Sequence, residues 1–432
     1  MTTEHWILLA LTALVILIWY CLEWRKSLPP GRALAPARSV VSFVRRTPAS
    51  NPLHIFALTF RRLWRNRSLV MILLGLWLAS WALNAFVLEP LVHKPYLEQI
   101  GYSEEDLKES RTDKPFRVVI PGQVGRWALD ALPKVPQLSL GGAGGMGTSA
   151  IGILVFGVFA CGLVYLWAKP PAWLPESARK AIAWPALLTV AGFLSAAGVT
   201  VLGYASMARG ELWSVQTSHR WLMLLCGLMA PFFSAALTAL LWHAVYQAGS
   251  GDKWDLRRAT VAAIDTWLPV AWLVFVIYLP ITIVPTLSRA LAATQGGPLS
   301  GIGYALLDAT LHLFTLPGYL SIAFVFVPWV ILERRYDFAS ALAENFRMMG
   351  RHWRKLAAFL PGYIILAAPP YGLLSHIGYV PRPPLSSYNI GQLGLYVLQI
   401  ILMFTVVVLY TELRKSEHIA KAPPLDAAGP DE

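Results

Sequence analysis

Hydrophobic residues occur along the chain in nine long runs that alternate with shorter polar segments. The runs cover residues 6–22, 69–88, 149–168, 184–207, 221–246, 263–286, 309–332, 356–375 and 393–412. A helix needs about 20 apolar residues to cross a hydrocarbon core of about 30 Å. The pattern therefore predicts an all-α fold, a polytopic integral membrane helix bundle of about nine spans. Pro361, Pro369 and Pro370 interrupt the eighth run, where we expect a kinked or broken helix.

Lysine and arginine are distributed unequally between alternate polar segments. The segments 23–68, 169–183, 247–262, 333–355 and the residues after 412 contain 25 of them, and the other segments contain 11. Cytoplasmic loops carry such an excess. We therefore expect a multi-pass protein of the cell membrane, of the bacterial inner-membrane type, with its N-terminus outside and its C-terminus in the cytoplasm. The first run follows no basic region and contains no small-residue cleavage site, which indicates a retained anchor.

On this topology the chain divides into four parts. We expect an N-terminal anchor, basic cytoplasmic linker and second span at 1–88, an extracytoplasmic segment at 89–148, a seven-span membrane bundle at 149–412 and a cytoplasmic tail at 413–432. Within the bundle, residues 221–286 and 309–375 have the pattern of an internal repeat of span, interfacial helix and span.

A basic amphipathic stretch that leads into an apolar run recurs three times, at 55–78, 256–279 and 340–363. The pattern predicts cytoplasmic interfacial helices, with apolar faces in lipid and guanidinium groups near lipid phosphate. The arginines expected to contact headgroups are Arg61, Arg62, Arg65, Arg257, Arg258, Arg347, Arg351 and Arg354. The alternative interpretation is that any basic loop between two spans has this appearance.

The third of these stretches carries a family resemblance. Four features follow one another at 325–356, in the sequence FVPWVILERRYDFASALAENFRMMGRHWRKL. They are an apolar helix with an internal proline, an acidic residue, a helix that begins with small residues, and an aromatic-basic end. The residues that carry this pattern are Pro328, Glu333, Ala341, Trp353 and Arg354. It resembles a broad group of polytopic bacterial membrane proteins that includes the membrane region of some glycerophosphodiester phosphodiesterases. The similarity is confined to the C-terminal half of the sequence. It does not include the catalytic phosphodiesterase domain that some members of that group carry. The resemblance therefore implies a membrane architecture and no enzyme activity.

Composition and charge narrow the classes of function. The chain is 56% hydrophobic and 14% charged, whereas typical soluble domains are about 25% charged. Its net charge of +12 lies in loops between apolar runs, which favours anionic lipids of the cytoplasmic leaflet as partners and excludes a basic face for nucleic acid. The three cysteines lie in apolar runs without metal-site or disulfide spacing.

Candidate chemistry is sparse, and we expect no cofactor and no catalytic residues. Asp308 and His312 are four residues apart and would share a helix face, and His376 lies near the end of the next apolar run. Together they could hold a divalent metal or a transferable proton. Polar interfacial residues in contact with water and headgroups are the favoured interpretation of these three.

Two functional hypotheses follow from the repeated basic stretches and the lack of catalytic motifs. The first is a non-catalytic membrane protein that handles or senses lipid, or that scaffolds a membrane complex with a membrane protein partner. The alternative is a permease-like subunit of a transporter that a separate partner drives. In that case the segments 254–266 and 338–355 would form the coupling surface.

Overall fold

The computed structural model describes residues 51–83, 150–208, 217–278, 322–377 and 390–421, together with residues 287, 291 and 302. Ten helices and no strand are formed by this part of the chain. They are α1 (Pro52–Arg65), α2 (Arg67–Leu83), α3 (Ala150–Ala168), α4 (Glu176–Ala181), α5 (Ala183–Ala208), α6 (Thr217–Ser250), α7 (Leu256–Tyr278), α8 (Val327–Arg334), α9 (Phe338–Ile377) and α10 (Ile390–Lys421).

Five of the described helices are long and apolar enough to cross a membrane. The spans are Ala183–Leu202 in α5, Leu228–Ser250 in α6, Leu256–Ile277 in α7, Phe338–Leu374 in α9 and Leu393–Glu417 in α10. The apolar stretches Arg67–Ala79 and Ile153–Ala168 are shorter. For the described residues, the prediction of an all-helical fold with helices long and apolar enough to cross a membrane is therefore confirmed. The first apolar run, the 89–148 segment and most of the seventh run lie outside the described residues, and a total of nine spans stays a prediction.

The three basic stretches do not fold alike. The first forms a separate helix, α1, which ends before Asn66, whereas the second and third are continuous with the spans α7 and α9. The third continues because residues 351–359, RHWRKLAAF, contain strong helix formers and no residue that stops a helix. Of the kinked or broken helix expected in the eighth run, the break is wrong, since α9 continues through Pro361, Pro369 and Pro370, and a kink stays a prediction.

Helix α10 occupies the centre of the bundle. Within its apolar window 56% of the residues are buried, compared with 22% for α5 at the periphery. The buried side chains Phe404 and Tyr410 belong to the main core with Trp242 of α6. Close packing of α6 on α10 depends on Gly249, because a Cβ at this position would lie 2.5 Å from Cγ1 of Val407. An alanine at position 249 would therefore force the two helices apart.

The backbone preceding α8 is irregular although it is buried. Residues 324–326 form a turn before the helix begins at Val327. Asn345 of α9 supplies the missing hydrogen-bond partners: its Oδ1 accepts from Phe326 N–H at 3.2 Å, and its Nδ2 donates to the Ala323 carbonyl at 2.8 Å. Buried backbone N–H and C=O groups require such partners. Asn345 is itself completely buried, and the turn is thus enclosed by protein.

The segments that are rich in lysine and arginine, and that the sequence predicts to lie on one side of the membrane, meet at one end of the bundle. We name this end the polar end. It comprises residues 51–68, 169–183, 247–262, 333–355 and 412–421. Arg62 Nη2 lies 3.0 Å from Glu412 Oε1, which joins the first of these segments to the last. The Arg257 guanidinium lies 5.9 Å from the centre of the Trp173 ring, which joins the second to the third.

Candidate functional site

Helix α1 buries a mixed face in the bundle, with Ile55, Thr59, Arg62 and Leu63, and exposes large apolar side chains on the opposite face. Thr59 and Arg62 are buried, while Leu53, Phe60 and Trp64 are 65%, 54% and 76% exposed. The two sets lie on opposite faces of the helix at the 3.6-residue period. On a water-soluble protein, the exposed face of a surface helix carries mainly charged and polar residues. An outward apolar face of this kind is typical of a helix whose outer side contacts lipid.

Local capping determines where α1 begins and ends. Asn51 caps its start, since its Oδ1 accepts from Leu53 N–H at 3.0 Å and from His54 N–H at 3.3 Å. Asn66 follows its end and binds the loop between α6 and α7: Nδ2 donates to the Asp252 carbonyl at 3.2 Å, and Oδ1 accepts from Trp254 N–H at 3.1 Å. These bonds fix the orientation of α1 on the polar end.

Arg62 is an exception among the arginines expected at lipid headgroups. Only 8% of it is exposed. Its guanidinium pairs with Glu412, donates to the Thr411 hydroxyl at 3.0 Å and also donates to the carbonyl of Gly249. The expectation of headgroup contact is therefore wrong for Arg62, because partners on α6 and α10 enclose its guanidinium inside the bundle.

A second buried ion cluster surrounds Arg414 of α10. Its guanidinium lies 2.8 Å from Glu417, 3.1 Å from Glu344 and 3.3 Å from Glu333. The Tyr410 hydroxyl donates to Glu333 and accepts from Arg414 Nε at 3.2 Å. Arg414 is 4% exposed. This cluster fastens α8, α9 and α10 to each other at the polar end.

The outer arginines of α9 continue this cluster toward solvent. Arg347 lies 3.8 Å from Glu344, and Arg351 lies 3.5 Å from Glu417. Their side chains are 68% and 53% exposed. Glu417 also contacts His352 Nε2 at 3.2 Å. The exposed guanidinium groups thus lie beside buried carboxylates that hold them near the bundle.

A cavity of about 450 Å³ opens between α6, α7, α8 and the loop before α4. Its volume lies within the usual range of small-molecule sites, about 300–1,000 Å³. The lining residues are Trp173, His243, Tyr246, Gln247, Arg257, Arg258, Val261, Ala262, Leu332, Glu333 and Arg335. Apolar walls and three guanidinium groups therefore face the same space.

Two of the charged groups in this lining already have ionic partners. Glu333 belongs to the Arg414 cluster, and Arg335 Nη1 lies 3.0 Å from Asp265 Oδ2. Arg257 and Arg258 are exposed, and no acidic side chain of the described residues forms an ion pair with either. These two arginines consequently give the cavity an excess of positive charge.

The neutral polar groups of the lining have orientations fixed by neighbours. The Gln247 side-chain oxygen accepts from Asp255 N–H at 2.9 Å, which leaves the amide NH₂ as a donor. Thr266 donates its hydroxyl hydrogen to the Ala262 carbonyl at 2.8 Å and lies 3.0 Å from His243 Nε2. His243 and Thr266 are thus bonded to each other. The donors that the lining offers to an anion are the guanidinium groups and the Gln247 amide.

The remaining arginines proposed from the sequence lie at the surface of the polar end. Those that are exposed are Arg61, Arg65, Arg257, Arg258, Arg347, Arg351 and Arg354. Sequence reasoning missed Trp173, His243, Gln247 and Arg335 as neighbours of Arg257 and Arg258. A partial signal was present, because Asp265 and Glu333 are acidic residues at the ends of apolar runs. Their cationic partners come from other segments, which no local pattern could identify.

The candidate metal ligands cannot be assembled from the described part of the chain. Asp308 and His312 lie outside it, as does the side chain of His376. Among the described residues no group of three or more His, Cys, Asp or Glu side chains could hold a metal ion.

Comparisons with protein-family models, curated proteins and solved structures gave no match. The resemblance to the membrane region of glycerophosphodiester phosphodiesterases therefore stays a prediction.

Proposed function

We propose that this chain is a lipid-handling integral membrane protein whose polar end faces the cytoplasm and engages anionic lipid of the inner leaflet. The observation that carries the proposal is the orientation of α1. Its apolar residues Leu53, Phe60 and Trp64 face outward, whereas Thr59 and Arg62 on the opposite face are held inside the bundle. Such a surface is stable in contact with acyl chains and unstable in contact with water.

The charges beside this apolar face favour anionic lipid over zwitterionic lipid. Arg61 and Arg65 are exposed on the flank of the outward face, and Arg65 Nη1 donates to the Gly251 carbonyl at 2.9 Å. Each basic residue near an anionic leaflet contributes about 1 kcal/mol to attraction. Arg347, Arg351 and Arg354 are further exposed cations of the polar end, on α9.

The proposal requires that the outer face of α1 lie in the membrane. A protein in which Cys21, Cys161 and Cys226 are replaced by serine can carry one fluorophore at Phe60→Cys, with Ser177→Cys on the exposed face of α4 as control. In reconstituted bilayers, lipids with a spin label on the acyl chain should quench the fluorophore at 60, and aqueous iodide should quench the one at 177. Quenching at 60 by iodide but not by the lipid would contradict the proposal.

A second experiment tests the preference for negative charge. The melting temperature is measured in nanodiscs of phosphatidylcholine alone and in nanodiscs that also contain phosphatidylglycerol. We expect the anionic lipid to raise the melting temperature, because a ligand that binds the folded state stabilises it. Arg61→Gln/Arg65→Gln should lose part of this increase.

The matched control is Lys180→Gln/Lys253→Gln, which removes the same charge from exposed positions of the polar end that lie outside α1 and α9. This control should keep the full increase. Equal melting temperatures of the unaltered protein in both kinds of nanodisc would contradict the preference.

A further inference from the structure

We propose that the cavity between α6, α7 and α8 is a binding site for a phosphate group, with Arg257 and Arg258 as its principal donors. This inference rests on the proposed function and deepens it, since it gives the anionic lipid one specific site in addition to a general surface. The same chemistry would serve the headgroup of an anionic phospholipid or a free phosphate compound.

The charge of the cavity is the first argument. Arg335 and Glu333 are each paired with a neighbour, so the charge still to be balanced belongs to Arg257 and Arg258. Both residues lie in the first turn of α7. The N-terminus of a helix already carries a partial positive charge, so cations are unfavourable there unless an anion is near. Asp255, whose Oδ1 accepts from Arg257 N–H at 2.9 Å, compensates only part of this charge.

The geometry of the donors is the second argument. Arg257, Arg258 and Gln247 border one cavity, and planar guanidinium groups bind phosphate oxygens through paired hydrogen bonds. Trp173 lies against Arg257 in cation–π contact, which restricts the position of that guanidinium. The site is thus partly preorganised for an anion with several acceptor oxygens.

The apolar part of the lining selects between the two sources of phosphate. Val261, Ala262 and Leu332 line the same space as the arginines. Trp173 is 37% exposed, and Trp184, which follows it in the chain at the same end, is 65% exposed. Indole rings of this kind are typical of the headgroup level of a bilayer. An amphiphilic ligand can satisfy both parts of the lining, whereas inorganic phosphate satisfies only the donors.

The test measures binding of soluble probes to the full chain in a neutral detergent. The probes are dihexanoyl phosphatidylglycerol, inorganic phosphate and, as a zwitterionic control, dihexanoyl phosphatidylcholine. Arg257→Gln/Arg258→Gln should weaken binding of phosphatidylglycerol by about tenfold or more, because two charge-assisted contacts are lost. Both side chains are exposed, so the melting temperature of this variant should match that of the unaltered protein.

The matched control is Lys180→Gln/Lys253→Gln, which removes the same charge from exposed positions outside the cavity lining and should leave binding of the soluble probe within about twofold. Tighter binding of phosphatidylglycerol than of inorganic phosphate assigns the site to a lipid headgroup. The reverse order assigns it to a free phosphate compound and counts against lipid as its ligand.

Unchanged binding of both anionic probes by Arg257→Gln/Arg258→Gln would overturn the site. If Arg61→Gln/Arg65→Gln alone lost binding in that case, the proposed function would stand without this cavity. If no protein distinguished the anionic probes from phosphatidylcholine, both the site and the proposed function would fail.

Discussion

Replacing Arg414 with glutamine removes the cation that lies within 3.3 Å of three carboxylates at the polar end. The side chains of Glu344 and Glu417 are only 8% and 12% exposed, so water cannot replace the lost partner. Removing one member of a buried ion pair costs about 3–5 kcal/mol. Glu333 is 29% exposed and adds little to this cost. We therefore expect Arg414→Gln to lower the free energy of unfolding by about 3–5 kcal/mol.

Lys415→Gln is the matched control, since it removes the same charge one residue further along α10. Lys415 pairs with Glu412 at 2.9 Å, but its side chain is 58% exposed. An exposed pair contributes about 0–1 kcal/mol. The assay is equilibrium unfolding in mixed micelles, titrated with dodecyl sulfate and followed by far-ultraviolet circular dichroism.

The double variant Arg414→Gln/Glu344→Gln separates loss of the cation from general damage. It should be more stable than Arg414→Gln alone, because one unpaired buried carboxylate is neutralised. Equal costs below about 1 kcal/mol for Arg414→Gln and Lys415→Gln would refute the reasoning, since the carboxylates would then have to be solvated.

Four further predictions use the same unfolding assay or hydrogen exchange. Arg62→Gln should cost about 1–3 kcal/mol, because it leaves the buried Gly249 carbonyl without this donor and leaves Lys415 as the remaining cation beside Glu412, and a cost near zero would contradict its burial. Asn345→Ala should cost about 2–4 kcal/mol, because it leaves two backbone groups of the turn before α8 unpaired; hydrogen exchange there should accelerate. Gly249→Ala should destabilise the protein through its clash with Val407, and Val407→Ala should restore part of the stability; a benign Gly249→Ala would contradict the close packing. The Ser340 backbone N–H and hydroxyl donate to the Asp337 carboxylate and lower its pKa, so this cap of α9 should persist at neutral pH. The cap should be lost as the pH falls through the lowered pKa. Hydrogen exchange at 338–341 should then become faster in the unaltered protein, whereas Asp337→Ala should show no such change with pH.

The sequence predicted the spans well where apolar length alone determines the structure. The runs at 184–207 and 393–412 correspond closely to the spans in α5 and α10. The eighth run was predicted less well, because its prolines indicated a break that α9 does not contain. A proline inside a membrane helix is tolerated when neighbouring groups satisfy the freed carbonyls, and the local sequence does not show which neighbours are present.

The orientation of α1 was only partly readable from the sequence. Its helical period does separate Thr59 and Arg62 from Phe60 and Trp64. The period cannot say which side faces the bundle, and arginines are ordinarily assigned to the surface. The direction of Arg62 is determined by Glu412 and by Gly249, which are distant in the chain.

The residues that line the cavity could likewise be predicted from the sequence only in part. Arg257 and Arg258 could be proposed from their basic stretch alone. Their association with Trp173 and Arg335 requires the packing of three other segments against α7. The excess charge of the site likewise depends on the pairing of Arg335 with Asp265, which is visible only in three dimensions.

The most direct measurement of anionic lipid binding at the polar end is native mass spectrometry of protein released from nanodiscs of equal phosphatidylcholine and phosphatidylglycerol. Spectra are compared for the unaltered protein and for Arg257→Gln/Arg258→Gln. We expect the unaltered protein to retain phosphatidylglycerol under activation that removes phosphatidylcholine, and the variant to lose most of it. Equal retention of the two lipids by the unaltered protein would contradict specific binding of anionic lipid at the polar end.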